Sequence, residues 1–348
     1  MKKTAVVICP GRGTYNKSEL GYLKRHFPDP ALLESFDALR RDEGQPTLAE
    51  LDGAQTFSIA QHTRGDNASA LIYAATLGDF LSIDRDEIEI VAVTGNSMGW
   101  YSALACAGAL SPENGFRVAN TMGTLMQRAL IGGQLVYPFV DENWMAQPER
   151  RQTLLAKVDE IDARADHLLG LSIALGGMLV LAGNEAGLKA FEQEVEPVQQ
   201  RFPMRLGNHA AFHTALQAPV AKQGREQLPS ELFRQPNLPL IDGRGAIWWP
   251  DATPTEALRN YTLGAQVTET YDFTQAITIA AREFAPDLFI VTGPGTTLGG
   301  AVAQSLILAR WLGMDSKTDF QAQHDDKPLL AAMGMAEQRK TVSKGVTE

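Results

Sequence analysis

IEIVAVTGNSMGWYSALACAGALS, residues 88–111, sets a run of β-branched residues against a glycine-bracketed serine and then a run of small, helix-compatible residues. Strand, sharp turn and helix in that order, with G-x-S-x-G at the junction, form the pattern of a nucleophile elbow. The glycines let the backbone turn without a Cβ clash. Ser97 then stands at the mouth of a sheet with a helix N-terminus behind it, where main-chain N–H groups can stabilise a developing oxyanion. Five residues of this kind also arise by chance in long chains, so the reading rests on the strand before them and the helix after.

The rest of the chain fits an enzyme of ordinary composition. It has 348 residues, 44% hydrophobic and 21% charged, which suits one large α/β domain with an insertion. A formal net charge of −10 argues against nucleic-acid binding. No window is long and apolar enough for a membrane helix. The N-terminal "MKKTAVVICPGRG" begins basic and then apolar, but Pro10 and Gly11 cut the apolar part short, so a first buried strand is expected rather than a signal segment. Cys9 and Cys106 have no metal or redox spacing and fit a reducing, cytoplasmic setting, and no His, Asp, Glu or Cys cluster suggests a metal.

Along the chain, residues 67–81 and 112–130 read as helices flanking the elbow unit. The texture changes after that. "GQLVYPFV", a polar helix at 148–166, two strands joined at Gly176-Gly177, the helix of "NEAGLKAFEQEVEPV" and the strand "FPMRLG" give β-α-β-β-α-β over 131–207. That is a ferredoxin-like order, expected as an inserted subdomain between core segments 1–130 and 208–348. The helix of "TYDFTQAITIAAREF", the strand "DLFIVTG" and the helix of "TTLGGAVAQSLILARWL" resume the larger pattern. "KPLLAAMGMAEQR" is expected to form one docking helix, with a mobile end after it.

Four stretches together resemble the malonyl-CoA:acyl-carrier-protein transacylases and the related acyltransferase domains of polyketide synthases: "CPGRGTY" at 9–15, "GNSMGWYSALACAGALS" at 95–111, "AAFHTAL" at 210–216 and "DLFIVTGPGTTLGG" at 287–300. The resemblance implies an α/β-hydrolase-like core with a parallel sheet and a ferredoxin-like insertion. It implies that Ser97 attacks an acyl-CoA thioester and that His213 serves as its base. A main-chain carbonyl at Gln266 would orient the imidazole, and the main-chain N–H groups of Met98 and Arg12 would hold the oxyanion. His209, four residues before His213, has no counterpart in the motif. No permanently bound cofactor is implied: acyl-CoA is the donor and the phosphopantetheine of a carrier protein the acceptor. Such a carrier is acidic, so basic docking residues are expected beside the cleft, with Arg128, Arg201 and Arg205 the candidates.

The chain departs from the pattern in places that bear on the acyl group. Asn96 stands where the family has histidine, Trp100 where it has an acid and Arg12 where it has glutamine. Malonyl-specific members carry an arginine 25 residues beyond the nucleophile, and that count lands on Met122. A thioether cannot pair with a carboxylate. With Met122, Phe212 and Asn96 around the acyl group, the expectation is transfer of acetyl or another short neutral acyl group. Malonyl transfer using Arg12 from the opposite wall, and hydrolysis of the acyl thioester, remain open beside it. A carrier-binding scaffold without activity and an ordinary esterase are more distant.

Overall fold

The computed structural model describes residues 1–344, so the expected mobile end falls mostly outside the described residues. Eleven strands are present among them: β1 (Lys3–Cys9), β2 (Ile88–Gly95), β3 (Gly133–Pro138), β4 (Leu169–Leu175), β5 (Met178–Gly183), β6 (Met204–Arg205), β7 (Leu240–Ile241), β8 (Ile247–Trp248), β9 (Tyr271–Asp272), β10 (Leu288–Val291) and β11 (Leu330–Ala332). They form two sheets. The larger has the order β11-β10-β1-β2-β7-β8, parallel throughout except for the β7–β8 edge. Its central strand β1 is buried on both faces from Ala5 to Cys9, which is why "AVVIC" reads as an unbroken apolar run rather than an alternating one. Helix Gly65–Ser82 is apolar nearly all round and buried on almost every face, as a helix enclosed by other elements must be.

The smaller sheet runs β6-β3-β5-β4-β9. Its first four strands are antiparallel and, with helices Pro148–Asp162 and Glu185–Glu194, give the expected β-α-β-β-α-β order. The fifth strand comes from elsewhere: β9 pairs with β4 in parallel, Ile173 opposite Tyr271. "TYDFTQAITIAAREF", expected as one helix, is therefore divided. Tyr271–Asp272 extends the small sheet, and the Asp272 side chain then caps helix Phe273–Phe284 by accepting from Gln275 N.

The C-terminal expectation is corrected. "KPLLAAMGMAEQR" is no single helix: Leu330–Ala332 adds the parallel edge strand β11, and Ala336–Arg339 makes one helical turn. Arg339 then reaches buried Asp79 at 2.7 Å, tying the segment to the core. Among the described residues no helix is long and apolar enough to cross a membrane.

Candidate active site

Ser97 lies between β2 and helix Gly99–Cys106 with φ 56°. The turn is braced on both sides, since Asn96 N donates to Cys9 O at 2.9 Å and Gly99 N donates to Asn96 O at 2.8 Å. It is also too tight for side chains. A Cβ at Gly95 would overlap the Gly99 carbonyl, and one at Gly99 would overlap that of Cys9. The bracketing glycines of the motif thus follow from close backbone approach.

Across the sheet end, His213 points its Nε2 at Ser97 Oγ, 2.8 Å away. Its Nδ1 is 2.7 Å from the main-chain oxygen of Gln266. A carbonyl oxygen only accepts, so Nδ1 carries the proton and Nε2 is left bare toward the hydroxyl. Burial pushes the His213 pKa down to about 4, with the Gln266 carbonyl acting the other way. The imidazole is therefore neutral at pH 7 and able to accept a proton. The Gln266 side chain closes the arrangement, its Nε2 donating to Ser97 O at 3.0 Å and its Oε1 accepting from the Tyr101 hydroxyl at 3.1 Å. Tyr101 was not singled out from sequence; its place one turn beyond Ser97 on the elbow helix was the available signal. Tyr271 adds a second brace, its hydroxyl donating to Gly95 O at 2.5 Å and its ring 5.4 Å from that of His213.

Ser97 opens onto a cavity of about 10 Å³, room for little more than one water, bounded by Arg12, Met98, Met126, Phe212 and His213 among others. Next to it lies a cavity of about 590 Å³ between the two sheets. Arg12 and Asn96 border it together with Val136, Val180, Phe202 and Leu298. Asn96 Oδ1 is buried and has no partner among the described residues. Phe212 carries the Arg12 guanidinium over its ring at 5.4 Å. Met122 is fully buried and packs toward Gly224, so that a Cβ there would lie 2.7 Å from its Sδ. On helix Pro112–Ala129 the small cavity is walled by Met126, one turn on, and Met122 sits behind that wall rather than in it. Trp100 is buried away from the pocket, its indole donating to Thr262 Oγ1 at 3.0 Å.

His209, without a counterpart in the motif, takes part in a buried chain of hydrogen bonds. Its Nδ1 meets Gln134 Oε1 at 2.8 Å, Gln134 Nε2 donates to Ser172 Oγ at 2.7 Å, and Ser172 Oγ donates to Phe212 O at 2.8 Å. Gln134 and Ser172 stand on β3 and β4, so the small sheet grips the 209–213 segment at both ends. Burial, reinforced by Arg12, holds the His209 pKa down at about 3.

The three arginines expected at the cleft part company. Arg201 borders the large cavity and lies over Phe202 at 4.5 Å. Arg205 is committed to Glu192 at 2.7 Å and Glu185 at 3.2 Å on the neighbouring helix. Arg128 lines a separate polar depression with Glu43, Arg64 and Asp66. Among the described residues no group of three His, Cys, Asp or Glu side chains is arranged to hold a metal.

No protein-family model matches the chain. Among curated proteins it is similar to the malonyl CoA-acyl carrier protein transacylase of Salmonella typhimurium, 24% identical over 211 residues, 60% of this chain. It is also similar to the polyketide biosynthesis protein ThaF of Burkholderia thailandensis, 30% identical over 238 residues, 67% of this chain. The matched part spans 63% of the Salmonella protein's length and 19% of the Burkholderia protein's. Among solved structures, the acyl-carrier-protein S-malonyltransferase of Burkholderia pseudomallei superposes with a TM-score of 0.74 at 19% identity, covering 98% of this chain and 99% of that one. A malonyl-transacylase solved in complex with a type II polyketide acyl-carrier protein gives 0.71 at 19% identity, with 98% of each chain covered. At these identities the structural likeness is one of fold: an α/β-hydrolase-like core with a ferredoxin-like subdomain.

Proposed function

From this kinship with the malonyl-CoA:acyl-carrier-protein transacylases, we propose that the chain is an acyltransferase. It moves a short acyl group from coenzyme A to the phosphopantetheine thiol of an acidic carrier protein, through an ester on Ser97. The observation that carries the reading is the line from Ser97 Oγ through His213 to the Gln266 carbonyl, at 2.8 Å and 2.7 Å. A hydroxyl becomes a useful nucleophile when a positioned base takes its proton as it attacks. The neutral, buried His213 is that base. As the tetrahedral intermediate collapses, its proton goes to the departing CoA thiolate. The carrier thiol then loses its proton to the same nitrogen and attacks the ester, and that proton returns to Ser97 Oγ. The main-chain N–H groups of Met98 and Arg12 are assigned to the oxyanion. The cavity of about 590 Å³ beside the serine accommodates the pantetheine arm, and the cavity of about 10 Å³ at Oγ favours a short acyl end.

Met122 brings no charge to helix Pro112–Ala129. From that side a neutral group such as acetyl meets no missing partner, whereas a carboxylate must find its cation elsewhere.

The test is intact-mass measurement after brief exposure to acetyl-CoA or malonyl-CoA, followed by addition of a holo carrier protein. Expected are an acyl adduct mapped to Ser97, its loss in Ser97→Ala, and its passage to the carrier. An adduct on another residue, or one that persists in Ser97→Ala, overturns the assignment. An ester that water clears faster than the carrier does replaces transfer with thioester hydrolysis.

A further inference from the structure

Arg12 brings to the serine pocket a guanidinium with donors to spare. Nη2 is committed to two carbonyls, Thr63 O and Asn208 O, each at 2.9 Å. Nε and Nη1 are shut off from solvent and have no hydrogen-bond partner among the described residues. Leaving buried donors of a cation without acceptors is costly. The side chain cannot relieve this by swinging outward, because the two carbonyls and the face of Phe212 fix it. Asp66, the acid whose field it feels, is taken up by Arg64 at 2.9 Å. Burial lowers the Arg12 pKa only to about 10, so the group stays cationic at neutral pH.

Its place decides what it meets. Arg12 borders both the small cavity at Ser97 Oγ and the large cavity beside it. Nη1 extends toward the crossing of the helices that carry Gly65 and Gly123. A Cβ on Gly65 would lie 3.3 Å from Nη1 and 2.9 Å from Gly123 O, so the absent side chain leaves the guanidinium its room. The charge thus arrives next to position 122 from the opposite wall. An acceptor there must be an anion small enough to enter with the acyl group. A carboxylate matches guanidinium donors with charge-assisted hydrogen bonds. Phosphate would match them too, but the phosphates of coenzyme A lie at the far end of the pantetheine arm from the thioester.

We propose that Arg12 is the residue that sets acyl selectivity, its unpartnered N–H groups donating to the terminal carboxylate of a carboxyacyl thioester such as malonyl-CoA. The cation that the resemblance places at position 122 is supplied from the glycine loop instead. This rests on the Ser97 ester proposed above. It replaces the neutral-acyl expectation drawn from Met122 alone, since the missing charge is restored by a different residue. The oxyanion role of Arg12 is a main-chain one and is unaffected by its side chain.

The test compares malonyl-CoA with acetoacetyl-CoA, close in size but uncharged at its end, and with acetyl-CoA. Single-turnover formation of the Ser97 ester is followed by intact mass. In the parent, malonyl is expected to load faster than acetoacetyl by roughly a hundredfold, the scale of one buried charged partner. In Arg12→Gln the ratio should fall to about one, whatever the absolute rates, while Arg12→Lys keeps it above about ten. Placing Met122→Arg on the Arg12→Gln background should bring the preference back. A parent that loads both esters equally, or an Arg12→Gln protein that keeps the parent's ratio, overturns the assignment of Arg12. If no CoA ester labels Ser97 in any of these proteins, the failure lies with the acyl-enzyme reading itself, and the Arg12 proposal falls with it.

Discussion

Ser97 and His213 meet at 2.8 Å, and each holds the left-handed backbone region, with φ 56° and 58°. Non-glycine residues there cost on the order of 1 kcal/mol each, and they persist where the surroundings impose them. The strain sits on the two side chains proposed to react. Ser97→Gly is therefore expected to melt higher than Ser97→Ala, by about 1 kcal/mol of stability, although neither variant can form the ester. Equal stabilities by chemical denaturation would show that the elbow backbone relaxes.

Replacing His213 by alanine should slow ester formation by roughly a hundredfold to ten-thousandfold, the usual contribution of a positioned base. Stopped reactions analysed by intact mass measure this directly. Unchanged ester formation would remove His213 from the mechanism.

The pH dependence follows from the burial of the same ring. Its pKa of about 4 lies below the ordinary histidine value of about 6.5, so the unfolded chain binds a proton that the folded one refuses. Folding stability from this group is full above about pH 6.5 and declines as pH falls toward 4. Ester formation should stay level from neutral pH down to about 5 and then drop as His213 protonates near 4. Half-maximal loading near pH 6.5 would contradict a neutral buried imidazole.

Gln266 acts through both its main chain and its side chain. Gln266→Leu keeps the carbonyl that orients His213 but loses the amide donor to Ser97 O and the acceptor for Tyr101. Ester formation should fall about tenfold, the scale of one or two neutral hydrogen bonds. Tyr101→Phe should cost less. A Gln266→Leu protein as fast as the parent would make the side chain dispensable.

Arg201 and Arg205 separate two ideas about carrier docking. Arg201→Glu, at the rim of the large cavity, should reduce the rate of transfer to an acidic carrier, more strongly at low salt, while ester formation from CoA is untouched. Arg205→Glu should mainly weaken the fold locally, because it leaves Glu185 and Glu192 facing a like charge. Equal loss of transfer in both variants would favour a broad basic surface.

The elbow and its helix were legible in the sequence because they are local: a strand period, two glycines and a small-residue helix within 24 residues. The Gly176-Gly177 hairpin was legible for the same reason. His213 needed the ordered motifs, since nothing in "AAFHT" alone says which ring nitrogen faces Ser97. Three features lay beyond reach because they depend on tertiary packing. Tyr271–Asp272 reads as the start of a helix and becomes a strand only because β4 offers an open edge. Met122 falls on the expected residue count yet packs behind Met126, since helix rotation is fixed by the contact with Gly224. The hydrogen bonds of Gln134 and Ser172 to the 209–213 segment join residues remote along the chain, and neither residue type signals such a role.

The pairing of β9 with β4 bears on attempts to build chimeras. A segment whose two ends lie close together invites exchange with a homologue's, as a cassette. Here the cassette 131–207 would leave behind a strand, Tyr271–Asp272, whose partner Ile173–Ala174 departs with the graft. That orphan strand begins five residues after Gln266, the residue that orients His213. A graft spliced only at 131 and 207 carries a foreign edge to that strand and disturbs the acylation chemistry before it alters which carrier docks. A junction that also transplants residues 266–272 keeps the edge and the orienting carbonyl from one parent.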